Sequence, residues 1–279
     1  MTAAINRFIS AVLIPILLSA WSPVPALMHA RWQPKELVGI SQSEVMEEDV
    51  FITAHRGVNG IAPDNTIPAY EKAVACGYYS AECDIRLTKD NQWVLYHDPF
   101  LISKFWRLGT VEHTDFETLR TYRYAAGTNY WKYPDMQIPT LDEFLDVFIG
   151  SSTRPQIEIK SSNYDMLHTV VDAVRAKGLE KQAIIISFDL KQLQTIRDYD
   201  EEIELWYLVY RIKPKNIDEA KALGNCWISA DRNLNSENTI APVLEQGVGL
   251  SLWTVDSVKD AEKLYRMGVR YIETDRLCP

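Results

Sequence analysis

Eight short apolar runs, most of them separated by stretches of helical periodicity, constrain this chain more than any other feature of its 279 residues. They fall near 51–55, 80–86, 156–160, 183–187, 204–209, 226–230, 249–254 and 269–274. Five of the intervening helical stretches stop at a glycine just before the next run, at Gly77, Gly178, Gly224, Gly247 and Gly268. Glycine adopts the left-handed conformation that ends a helix without a Cβ penalty. Start signals agree: Thr66 precedes Ile67-Pro68, Thr140 stands three residues ahead of Glu143, and Ser257 three ahead of Asp260, all in positions where a side-chain oxygen caps a helix. Strands that alternate with helices pair in parallel, and eight of them close on themselves. The expected fold class is therefore α/β, a (β/α)8 TIM barrel with its site at the C-terminal ends of the strands.

One apolar run falls outside the eight. Trp93 to His97 follows the second strand after about six residues, too few for a crossover helix, and is expected to return as a hairpin. That return carries His97 to the rim where the second strand ends. On that strand Glu82 and Asp84 stand two apart and so face the same way, as do Glu158 and Lys160 on the third. His55 and Arg56 end the first strand. Six ionisable groups (His55, Glu82, Asp84, His97, Glu158, Lys160) thus converge on one rim, an arrangement that packing does not require. Three carboxylates without a histidine-cysteine set suit a hard divalent ion, Ca²⁺ or Mg²⁺. Arg56 and Lys160 bring positive charge to the same rim.

Five motifs stand in order between Phe51 and Lys160: His55-Arg56-Gly57, Pro63-Asp64-Asn65-Thr66, Glu82-x-Asp84, Val94-x-x-His97-Asp98 and Glu158-x-Lys160. Weaker echoes at Ser187-Phe188, Trp253-Thr254-Val255 and Thr274-Asp275 extend the pattern almost to the last residue. The chain resembles the glycerophosphodiester phosphodiesterase family. The resemblance implies a metal-dependent hydrolysis of glycerophosphodiesters to glycerol 3-phosphate and an alcohol. It implies Glu82, Asp84 and Glu158 as metal ligands, His55 and His97 as general acid and base, Arg56 and Lys160 as binding the substrate's phosphate, and Trp253 in the substrate site. It does not say which histidine is acid and which base, or whether water attacks directly or a cyclic phosphate forms first. One departure is Asp64, where the family usually has Glu. A barrel tryptophan such as Trp253 is also explained as core, and the alternatives to the main reading are a lysophospholipase D-type activity on lysolipids and a non-catalytic phosphate-binding barrel. Asn65 is expected to fix the loop after His55 through backbone hydrogen bonds. Glu273 and Asp275 are left outside the catalytic set, with Asp275 expected to bond only the loop that carries Arg56.

Residues 99 to 139 join the second and third strands and are rich in aromatics, among them Phe100, Trp106, Tyr124 and Trp131. They read either as a self-packed cap, with a short helix starting at Thr114-Asp115, or as an aromatic rim for a choline-like head group or acyl chain. Residues 1 to 30 read as a secretory signal, with Arg7, an apolar stretch from Phe8 to Trp21 and small residues at possible cleavage points. That stretch is short for a membrane span, which needs about 20 residues. The expected product is a secreted or periplasmic domain over 31–279 that keeps no stable span. Loss of Arg7 takes the net charge from −9 to about −10. Such a chain disfavours bulk nucleic-acid binding and must offset its own field to bind a small-molecule phosphodiester. The last strand is followed by no full helix, and residues of 31–49 are expected to cover part of that flank. Of four cysteines, Cys83 is expected in the core, and a bridge from Cys76 stays open.

Overall fold

A computed structural model describes residues 35–43, 45–46 and 50–279; the expected signal lies outside them. The strands are β1 (Val38–Gly39), β2 (Phe51–Ala54), β3 (Ser80–Leu87), β4 (Trp93–Leu95), β5 (Arg154–Ile159), β6 (Ile184–Ser187), β7 (Glu204–Val209), β8 (Cys226–Asp231), β9 (Leu250–Trp253), β10 (Tyr271–Thr274) and β11 (Leu277–Cys278). The order β2-β3-β5-β6-β7-β8-β9-β10, with β10 pairing back to β2, closes a parallel barrel of eight strands. The helices are α1 (Ile67–Ala75), α2 (Ile102–Phe105), α3 (Phe116–Arg120), α4 (Leu141–Asp146), α5 (Leu167–Ala176), α6 (Leu190–Tyr199), α7 (Pro214–Leu223), α8 (Glu237–Glu245) and α9 (Val258–Arg266). β4 is the returning hairpin arm, antiparallel to β3 with Ile85 opposite Leu95.

Alternation sorts each strand into two faces. Ile52, Ala54, Ala81, Cys83, Ile85, Ile157, Ile185 and Leu205 join the helices in the main core. Residues of the other parity fill the barrel, where Ile184, Ile186, Trp206 and Leu208 form a separate buried cluster against Trp227, Trp253 and Tyr271. Trp206 stacks on Trp227 with centroids 5.2 Å apart. Gly249 makes room for this layer, since a Cβ there would stand 2.0 Å from the Trp227 ring.

All five helix-terminating glycines have positive φ, between 63° and 91°. Thr140 and Glu143 form the expected capping box, and Ser257 accepts from the Asp260 N–H. Thr66 is a correction: it stands at the N-cap but its hydroxyl donates to the Pro63 carbonyl and caps nothing. Of residues 31–49, the described part meets the last strand as expected. β1 pairs with β11, and Leu37, Val38, Ile40 and Met46 pack on the main core. Cys83 is fully buried, and all four cysteines are free thiols. No helix among the described residues is long and apolar enough to cross a membrane.

The 99–139 connection has a core of its own. Leu101, Phe105, Val111, Leu119, Tyr124 and Ile138 pack there with Val94 and Tyr96 of the hairpin arm. Most of its aromatics therefore serve the cap. Phe100, Trp106 and Trp131 remain exposed.

Candidate active site

The chain leaves β2 through a tight turn at Arg56 and Gly57, both with positive φ. Gly57 is needed on two counts, for its φ of 76° and because a Cβ would lie 2.7 Å from that of Ala69 on α1. The turn aims the Arg56 N–H at Glu82, donating to Oε2 at 2.9 Å. It also places the Arg56 guanidinium beside Asp84, with Nε 3.2 Å from Oδ2. His55 is held on its Nδ1 side by Asp275 Oδ1 at 2.8 Å, and its Nε2 lies 3.8 Å from Glu273 Oε1. Asn59 braces the same carboxylate while donating to the His55 carbonyl at 2.9 Å. This corrects the expectation for Asp275, whose principal partner is the His55 ring. The last strand shows the same two-residue acid spacing as β3, and that spacing was the available signal for Glu273 and Asp275.

Across the β3–β5 register Asp84 is opposite Glu158, so closure of the sheet brings the third acid to the first two. Oxygens of Glu82, Asp84 and Glu158 lie within 4.8 Å of one another, and all three residues are buried. Lys160 contacts Glu158 and stands 3.1 Å from Asp84 Oδ1. Asn65 fixes its loop as expected, its N–H donating to the Arg56 carbonyl at 3.1 Å, and it also ties the loop to β3: its side-chain amide donates to Asp84 Oδ2 at 2.8 Å, and its side-chain carbonyl accepts from the Asp84 N–H at 2.9 Å. The side-chain bonds to Asp84 add to the backbone role expected for it.

His97 arrives on the hairpin arm as expected. Arg86, two residues past Asp84, donates from Nε and Nη2 to the His97 carbonyl at 3.1 and 2.7 Å. The ring's Nδ1 pairs with Asp98 at 3.0 Å. The cap also delivers Lys104 to Asp64, a contact with no sequence signal because the two are 40 residues apart. Asp64 in turn lies 3.9 Å from Arg56, so the shorter acid still reaches the cationic side of the site. Trp253 packs against Phe188 and Tyr210 with centroids 6.0 and 5.9 Å away. These rings follow the C-terminal ends of β6, β7 and β9, on the wall across from the acids.

The electrostatics follow from crowding. Burial, then the charges of Asp84, Glu273 and Glu158, pushes Glu82 well above the usual carboxylate range. Glu158 is also raised, by burial and Asp84. Burial would raise Asp84 too, but Arg56, Lys160, His97 and the Asn65 bond hold it below that range. Burial pushes Glu273 up to about 7 against the opposing pull of His55. For His55, burial favours the neutral ring, yet the Asp275 bond and the Glu273 and Asp275 charges outweigh it and raise its pKa. Buried carboxyls crowded until they hold their protons more tightly become carboxylates more readily when positive charge is added among them.

The Glycerophosphoryl diester phosphodiesterase family model matches residues 55–278. The Bacillus subtilis protein YqiK is 33% identical over 243 residues, covering 80% of this chain and 94% of its own. A glycerophosphodiester phosphodiesterase of Caldanaerobacter subterraneus is 26% identical, covering 81% of this chain and 93% of its own. Among solved structures, an Oleispira antarctica phosphodiesterase in complex with the product sn-glycerol-3-phosphate superposes with a TM-score of 0.71 at 23% identity, over 81% of this chain and 92% of that one. That similarity bears on the fold. With the match spanning most of the chain, from His55 at the mouth to Cys278 of the last strand, the protein belongs to the glycerophosphoryl diester phosphodiesterase family, enzymes that hydrolyse glycerophosphodiesters.

Proposed function

We propose that the protein cleaves glycerophosphodiesters to glycerol 3-phosphate and an alcohol, with a divalent ion held by Glu82, Asp84 and Glu158 and with His55 and His97 as the acid-base pair. The observation that carries this reading is the convergence of the three carboxylates within 4.8 Å. The residues suit a hard cation: the donors are all oxygens, and Glu82 Oε1 is buried with no hydrogen-bond partner. When bound, such an ion would supply Lewis-acid stabilisation of charge on a non-bridging phosphate oxygen. Ca²⁺ and Mg²⁺ both fit this donor set.

Arg56 and Lys160 bring positive charge to the same pocket and orient the phosphate. Asp275 fixes the His55 ring through Nδ1, which leaves Nε2 facing the pocket. Asp98 pairs with Nδ1 of His97. Each imidazole is then set to move one proton through Nε2: one takes it from the attacking oxygen, the other gives it to the departing alkoxide. Trp253, with Phe188 and Tyr210, forms the apolar wall that would meet the alcohol. The product held by the Oleispira antarctica relative supports glycerol 3-phosphate as the product here.

Purified protein should release choline from glycerophosphocholine, lose this on chelation and regain it with Ca²⁺ or Mg²⁺. His55→Ala and His97→Ala should each lower turnover by about 10²–10⁴-fold at unchanged thermal stability. Activity that survives chelation, or either substitution, refutes the assignment. Lysolipid hydrolysis is the second reading, favoured by exposed Phe100 and Trp106 on the connection that follows His97, and relative turnover of lysophosphatidylcholine decides it. The N-terminal segment supports export to the periplasm or medium, to be checked by the N-terminal sequence of exported protein.

A further inference from the structure

Four large apolar side chains stand exposed within nine residues of the cap: Phe100 (60%), Ile102 (54%), Trp106 (55%) and Leu108 (89%). The loop that carries them is closed on itself, with the Leu101 N–H donating to the Gly109 carbonyl at 3.0 Å and Phe100 bridging Thr110. Its inward face is already filled. Leu101 and Phe105 belong to the cap's core, and Lys104 reaches Asp64. The outward residues are therefore not left over from an unfinished core. Trp106 is held in the left-handed region, φ 52° and ψ 37°, which a bulky side chain adopts at a cost. Among the described residues, no packing need accounts for a strained, half-exposed tryptophan at a loop tip.

Charge says what would cover this patch. The only charged residues from 99 to 111 are Lys104 and Arg107, in a chain of net charge −9. With Lys104 engaged at Asp64, exposed Arg107, its guanidinium 5.5 Å from the Tyr122 ring centroid, is the remaining charge of the tip, between Trp106 and Leu108 in sequence. Aliphatic side chains, a tryptophan and an arginine on one exposed tip match a lipid surface with anionic head groups. A second copy of this chain, itself strongly acidic, offers no such match for the apolar tip. The loop begins three residues after His97.

We propose that residues 100–108 form an interfacial loop that docks the protein on an anionic lipid surface. This goes beyond the proposed reaction, and it is tested by a measurement that needs no turnover. Full-length protein is compared with an Ile102→Ser/Trp106→Ser/Leu108→Ser variant for co-sedimentation with vesicles of phosphatidylcholine alone or with phosphatidylglycerol. Both proteins carry the same N-terminal segment, so its contribution cancels in the comparison. The parent should favour the anionic vesicles, and the variant's partition coefficient should be lower by about tenfold or more. Arg107→Gln should erase about fivefold of the preference for phosphatidylglycerol. The melting temperature should be the same in the parent and the triple variant. Equal partition of parent and triple variant overturns the proposal, whether both bind or neither does. So does a self-association, seen by light scattering, that the triple substitution abolishes while vesicle binding stays absent. If the parent has no turnover, the proposed function fails, but the vesicle comparison still decides the loop.

Discussion

The two halves of the barrel interior are built on the same backbone and filled with opposite chemistry. Around β10, β2, β3 and β5 the inward positions are Glu273, Thr53, Ser80, Glu82, Asp84, Gln156 and Glu158, all buried. They are cross-linked by bonds such as Thr53 to Ser80 at 2.6 Å and Ser80 to Gln156 at 3.2 Å. Around β6 to β9 most of these positions are apolar, Ile184, Ile186, Trp206, Leu208 and Trp227, with the buried hydroxyls of Ser229 and Ser251 between them. The lesson is a division of labour. Buried carboxylates are tolerable only where they share cations and hydrogen bonds, so they must be adjacent. The other half supplies the packing energy that the acid half forgoes, and its apolar wall strengthens the fields acting across the pocket.

Substitutions that strike one half alone test this division. The largest effect is expected at the acids: Glu82→Ala should lower glycerophosphodiester turnover by about a thousandfold or more, a loss of several kcal/mol of transition-state stabilisation, with little change in melting temperature. A comparable loss of stability in place of activity would mean that the acids are structural. In the apolar half, Trp206→Ala should cost about 3–5 kcal/mol of stability, read from denaturant titration, while folded protein keeps its turnover. Asp275→Asn should have a smaller effect, about tenfold on turnover, and a diagnostic one on pH. Asp275 raises the His55 pKa. If His55 is the base, it must be unprotonated, so turnover rises with pH through that raised value. Removing Asp275 lowers the value, and the acid limb of the kcat/KM profile should move to lower pH. A limb that stays in place would assign it to another group. Outside both halves, Thr140→Ala should cost only about 1 kcal/mol through loss of the capping box, with activity intact.

Much of this was legible before any coordinates. The eight strands, the hairpin return of β4 and the glycine stops rest on local preferences that act over a few residues. So does the shared face of Glu82 and Asp84, which follows from strand pleat alone. Thr66 misled because its hydroxyl turns back to donate to the Pro63 carbonyl and accepts from no helix N–H. The aromatics of 99–139 divided between core and surface in a way no periodicity announced, since a short irregular cap has none. Lys104 at Asp64 and Asp275 at His55 are pairings across 40 and 220 residues, set by how separate segments dock.

By itself the sequence determined which residues carry charge and which way each strand presents them, because alternation is a property of the extended backbone. Tertiary structure alone decided which charges meet and which protonation states result. Ring closure sets the C-terminal end of β10 beside the C-terminal end of β2, so Asp275 meets His55, and the register of β3 with β5 sets Asp84 beside Glu158. Burial and neighbouring charge then act on groups that the chain order keeps far apart, and those forces exist only after the barrel has closed.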